Sequence, residues 1–128
     1  MSEESSGCTC GSGGISRTIY ACSGGSNVGQ ISNEAAKQLS KEGFGKFFCL
    51  AGVGGAIGTF VETARGSDER VVIDGCPMQC AKRIMDEKGL PMDRYVVITE
   101  LGIEKTHDLR AQQEYVQMVI DAVKAVSR

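Results

Sequence analysis

The chain has 128 residues, a hydrophobic fraction of 41%, a charged fraction of 23% and a formal net charge of -2. That length lets one domain bury a core without metal or disulfide staples, and the composition is that of a globular protein. So small a net charge gives no basis for nucleic acid or an anionic membrane as a partner, and no apolar run approaches the length that crosses a bilayer.

Residues 1–14 are mostly Ser, Gly and Glu, have no apolar periodicity, and read as a flexible arm carrying Cys8-Thr9-Cys10. The arm lacks the basic and apolar regions of a secretory signal. A cytoplasmic location is therefore expected, where thiols stay reduced and disulfides are rare. Six cysteines in such a place point to metal binding or redox chemistry.

Residues 15–128 read as one α/β domain that repeats a short apolar run, a Gly-rich or Cys-bearing turn and a helical pattern. The runs are residues 17–22, 46–50, 70–74 and 94–99, continuous rather than alternating, as in strands buried on both faces. Helical stripes follow each of them. Val28, Ile31, Ala35 and Leu39 form the first, with Gly43 at its end. Ile57, Phe60, Val61 and Ala64 form the second, and Ala81, Ile84 and Met85 the third, closed by Gly89 and Pro91. Val116, Val119, Ile120, Val123 and Val126 form the fourth. This alternation predicts βαβ units and a mostly parallel four-stranded sheet with helices on both faces, in the flavodoxin-like order 2-1-3-4.

Four cysteines fall at one edge of that sheet. Cys22 ends the first strand, Cys49 lies near the end of the second, and Cys76 comes two residues after the third. Parallel strands put these ends together, beside the switch point where such folds bind ligands. Pro77 suits a first helical position, which predicts a helix capped by Cys76 with Cys80 one turn further on the same face. Glycines after Cys22 and Cys49 allow tight turns that expose backbone N–H groups. Such donors stabilise thiolates, the form that binds metal. A closed four-thiolate site suits zinc in a structural or carrier role.

Other chemistries lack their residues. A Cys-based phosphatase needs an Arg six residues after its nucleophile, where Val28 stands after Cys22. There is no GxxxxGK[ST], and Ile57 occupies the last glycine position of a dinucleotide-binding pattern. The single histidine, His107, is expected on the surface near the start of the last helix.

The segment from Val72 to Ala81, with Asp74-Gly75-Cys76-Pro77-Met78-Gln79-Cys80 at its centre, resembles the central motif of the DGC domain family. The Cys-Ser-Gly-Gly at Cys22 and the Cys-Leu-Ala-Gly at Cys49 are similar to that family's other cysteine motifs. The resemblance covers most of residues 17–105 and implies zinc binding with Cys22, Cys49, Cys76 and Cys80 as the chelating set.

Three readings follow. The first is a zinc-binding module, structural, regulatory or metal-carrying, with Cys8 and Cys10 either helping to load the ion or incidental to it. The second is an enzyme using the same cysteines as an iron–sulfur or thiol redox centre, with Asp74, Glu100 and Lys82 as candidates for proton transfer. The third is a small-molecule binder using the Gly24-Gly25 and Gly54-Gly55 loops for an anion.

Overall fold

The computed structural model describes residues 14–126; Cys8, Cys10 and the rest of the arm before Gly14 lie outside them. The described chain runs β1 (Arg17–Ala21), α1 (Asn27–Lys41), β2 (Lys46–Phe47), α2 (Leu50–Gly54), α3 (Gly58–Gly66), β3 (Glu69–Asp74), α4 (Cys80–Glu87), β4 (Arg94–Val97), a 3-10 turn (Ile98–Leu101) and α5 (Gln113–Ala125). The four strands form one all-parallel sheet in the order β2-β1-β3-β4. The domain is the single α/β unit expected, with the strand order expected.

Alternation along the strands divides the core in two. Ile19, Ala21, Val71 and Ile73 pack against α1 and α5, through Ile31, Leu39, Val119 and Val123. Tyr20 and Val72 face the other way, onto Val53 of α2, Ala64 of α3, and Ala81 and Met85 of α4. Every residue of β3 is buried, as the continuous apolar run requires of an interior strand. Full burial of an aliphatic side chain contributes roughly 1.5–3 kcal/mol.

α1 shows how local sequence sets the elements. Ser26 caps it by accepting the Gly29 N–H at 3.1 Å. At its other end Gly43 takes φ +86, and the Phe44 N–H returns to the Leu39 carbonyl at 3.0 Å.

Two strands are shorter than the apolar runs suggested, and one helix is added. β2 stops at Phe47, because Cys49 already takes up the N-cap of α2. The second helical stripe is borne out as α3 with Ile57 as its N-cap, and an unforeseen short α2 precedes it across Ala56, whose φ is +62. β4 ends at Val97, and the run continues as the 3-10 turn that Gly102 closes at φ +90. At the opposite edge, where the strands begin, the Glu69 carboxylate is paired with Arg17 and, at 3.0 Å, with Arg94. The buried Arg70 guanidinium donates to the carbonyls of Ser67 and Pro91, both at 2.7 Å. Among the described residues no helix is long and apolar enough to cross a membrane.

Candidate thiol site

Register sets the ends of β1 and β3 side by side, while β2 stops opposite Ile19. Ala21 of β1 pairs with Ile73 of β3, and the Cys22 N–H continues the ladder to the Ile73 carbonyl at 3.1 Å. On the other side Ile19 pairs with Phe47, and the Phe48 N–H reaches the Ile19 carbonyl at 2.9 Å. The chain thus leaves three adjacent strands at Cys22, Cys49 and, two residues beyond β3, Cys76. Neighbouring strands lie about 4.8 Å apart. The backbone brings three cysteine-bearing segments to one edge, as their positions in the sequence predicted.

The fourth cysteine arrives differently from the expected way. The helix does not start at Pro77 with Cys76 as its cap. Residues 75–79 form a turn in which the Gln79 N–H bonds the Cys76 carbonyl at 3.0 Å. Gln79 then adopts a left-handed φ of +55, and α4 begins at Cys80. The capping acceptor is Asp74, buried at 1% exposure. Its Oδ1 accepts the Ala81 N–H at 2.8 Å, and its Oδ2 accepts the Lys82 N–H at 3.0 Å and the Tyr95 hydroxyl at 2.7 Å. A carboxylate offers two negative oxygens to the positive end of a helix, which outcompetes a thiol for that place. Burial first, and then the bond to the Asp74 carboxylate, push the Tyr95 hydroxyl well above the usual tyrosine pKa.

The side chains of the four cysteines have separate surroundings. Cys22 is half-buried against the α2–α4 core, with Sγ 3.5 Å from the Ser32 hydroxyl. Ser32 commits its own proton to the Gly29 carbonyl at 2.6 Å, so Cys22 is the donor in this contact. Cys49 is exposed, and its Sγ accepts the Gly52 N–H at 3.4 Å. Cys76 packs against the other core, the one beneath α1 and α5, and its Sγ receives the Lys105 ammonium at 3.5 Å. Cys80 is exposed at the first position of α4.

In kind, four thiols at one edge fit a thiophilic ion. In placement they do not form a ligand shell: among the described residues no group of three or more His, Cys, Asp or Glu side chains stands together as a metal-binding cluster. All four thiols are unbridged. Ser23, next to Cys22, and Gln79, next to Cys80, both hold left-handed backbone at φ +54 and +55. Such a conformation costs a non-glycine residue about 1–2 kcal/mol.

The remaining candidates have ordinary surroundings. Lys82 pairs with Asp86 at 2.8 Å along α4, and Glu100 is exposed on the 3-10 turn. His107 is exposed in the segment before α5 rather than at its start. The glycine loop after Cys22 runs into the first turn of α1 with several of its donors already used. Its Ser26, Asn27 and Gly29 N–H groups are engaged by Gly24, Thr106 and Ser26. Sequence reasoning missed Tyr95, Ser32 and Lys105, which touch the site from other elements. Only the Tyr95 position carried a signal, since β3–β4 pairing sets it diagonally below Asp74.

Comparison with known proteins agrees with the cysteine pattern. The DGC domain family matches residues 18–123. The anaerobic and virulence modulator AnvM of Pseudomonas aeruginosa is 34% identical over 96 residues, covering 73% of either chain. No solved structure gives a significant match. The chain belongs to the DGC domain family.

Proposed function

We propose that this DGC-domain protein is a regulatory thiol module whose Cys22, Cys49, Cys76 and Cys80 take up one thiophilic metal ion, zinc before others. The observation that carries the reading is the convergence of β1, β2 and β3 on one edge, with a cysteine at or just past each strand end and a fourth at the start of α4. Thiolate sulfur is the preferred donor for zinc at a closed four-ligand site. The side chains would have to turn away from Ser32, Gly52 and Lys105 to meet an ion. Those contacts are single and weak, which favours such a change. A relative named as a modulator supports regulation rather than turnover.

The test is metal content by mass spectrometry with an absorption spectrum, on protein purified without air, beside the four single Cys→Ser variants. The expected result is about one zinc per chain, lost in each variant. Protein without metal under these conditions overturns the reading.

One observation favours a second reading, thiol redox chemistry with the same four cysteines. Cys49 and Cys80 are exposed and ungathered, as reactive thiols are. An iron–sulfur cluster would need the gathering that zinc needs, and would show as iron, sulfide and visible colour in the same preparation.

A further inference from the structure

Between the 3-10 turn and α5 the chain crosses the N-terminus of α1 without regular structure. Ile103 is buried at its start, but every residue from 104 to 110 is exposed. The segment stands off the α1–α5 face and leaves a hollow of about 280 Å³, walled by Asn27, Ile31, Ile103, Thr106, Arg110 and Tyr115. A stretch with so little buried apolar area belongs to the least stable part of a domain and opens first.

Among the described residues two polar fastenings hold it down. One is Asn27, at the first position of α1. Its side-chain amide donates to the Glu104 carbonyl at 2.8 Å, its side-chain oxygen accepts the Thr106 N–H at 2.6 Å, and its own N–H reaches the Thr106 carbonyl at 3.1 Å. The other is Lys105, whose ammonium donates to the Cys76 sulfur at 3.5 Å. The ion pair of Asp108 with Arg110 lies within the segment and ties it to nothing else.

We infer that residues 104–110 form a strap whose hold on the domain is set by what is bonded to the Cys76 sulfur. The inference requires no metal. A low-molecular-weight disulfide supplies the change. The Cys76 sulfur attacks one of its two sulfurs, the new S–S bond forms as the old one breaks, and the departing sulfur leaves as a thiol with the proton from Cys76. Cys76 is oxidised and the reagent reduced. In the mixed disulfide the Cys76 sulfur is at best a weak hydrogen-bond acceptor. Its new substituent also fills the place of the Lys105 ammonium. Lys105 departs, Asn27 alone holds the strap, and the hollow beneath it opens.

The test treats the full chain with oxidised glutathione, locates adducts by peptide mass spectrometry, and follows trypsin nicking after Arg110 with hydrogen exchange at the Thr106 amide. Molecules carrying glutathione on Cys76 are nicked about two- to fivefold faster, the range an exposed charged contact supports. Lys105→Met shows the faster rate untreated and gains nothing more from the reagent. Cys76→Ser does not respond to the reagent even when Cys49 and Cys80 are modified. An adduct on Cys76 at an unchanged rate, or Lys105→Met at the wild-type rate, overturns the inference. So does a reagent that saturates Cys49 and Cys80 and leaves Cys76 untouched. Metal content, measured separately, tests the four-cysteine reading and has no bearing on these outcomes.

Discussion

The Tyr95 hydroxyl donates to Asp74 Oδ2 at 2.7 Å, and that carboxylate also accepts the N–H groups of Ala81 and Lys82, the second and third residues of α4. One buried acid thereby joins β3, β4 and the helix that carries Cys80. Asp74→Ala should cost about 2–4 kcal/mol in urea unfolding, because it strips a cap and leaves buried donors unpaired. Tyr95→Phe should cost about 1 kcal/mol near neutral pH. The pH dependence has a definite sign. A folded pKa above the unfolded value of 10.0 gives Tyr95 a contribution that is whole below about pH 10 and lost as pH rises beyond it. Tyr20, also raised by burial, adds to the same slope. Tyr95→Phe should flatten the fall in stability above about pH 10 relative to wild type. An identical alkaline slope in the two proteins would show that folding does not raise the pKa of this hydroxyl.

Glu69 gives the opposite dependence at the other edge of the sheet. Burial alone would raise its pKa, but the bonds from Arg17 and Arg94 outweigh that and hold it below the usual carboxylate value. Its contribution is whole above the ordinary glutamate pKa of 4.5 and is lost as pH falls below it. Urea midpoints measured down to about pH 3 should fall for wild type and fall less for Glu69→Gln. At neutral pH that variant should be about 2–4 kcal/mol less stable, since two guanidinium groups keep their burial and lose their counter-charge.

Most of this architecture is written in continuous apolar runs. Val71, Val72 and Ile73 read as an interior strand, and the stripe Val116, Val119, Ile120 and Val123 as a helix covering one face. The edge that gathers the cysteines follows from parallel order alone. Its details do not, because they turn on competition between neighbouring groups. Pro77 is as acceptable in a turn as at a helix start, and the choice fell to Asp74, a better cap than Cys76. Phe47-Phe48-Cys49-Leu50 has no period, so nothing in the run marks the change from β2 to α2. Lys105 reaches Cys76 across a gap of 29 positions from a segment with no pattern at all. The cysteine backbone positions were legible, whereas the directions of their side chains were not.

Gly29 tests the close approach behind Cys22. A Cβ there would lie 2.2 Å from the Gly24 carbonyl oxygen and 2.6 Å from the Gly24 nitrogen, both backbone atoms that cannot step aside singly. Gly29→Ala gains up to about 1 kcal/mol of helix propensity. Displacing the 23–25 loop should cost more, for a net loss of about 1–3 kcal/mol. Gly58→Ala, at the start of α3 with nothing within 4 Å, is the control and should be neutral or stabilising. Equal behaviour of the two variants in urea would mean that the loop yields freely, and that nothing rigid fixes Cys22 over the edge.

Cys49→Ser separates chemistry from structure at the most accessible part of the site. The Cys49 side chain is exposed and has one described hydrogen bond, accepting the Gly52 N–H at 3.4 Å as the N-cap of α2. Serine is the better residue for that task, because its oxygen is a stronger acceptor and suits N-cap geometry. The variant should match wild-type stability or exceed it by up to about 0.5–1 kcal/mol, with unchanged circular dichroism. If it also fails to retain metal, or no longer reacts with thiol reagents at the sheet edge, the loss belongs to the sulfur and not to a damaged fold. A drop of more than about 1 kcal/mol would instead mean that the thiol packs as part of the structure. Cys49 would then leave the functional set, and a three-cysteine site of Cys22, Cys76 and Cys80 would have to account for any bound ion.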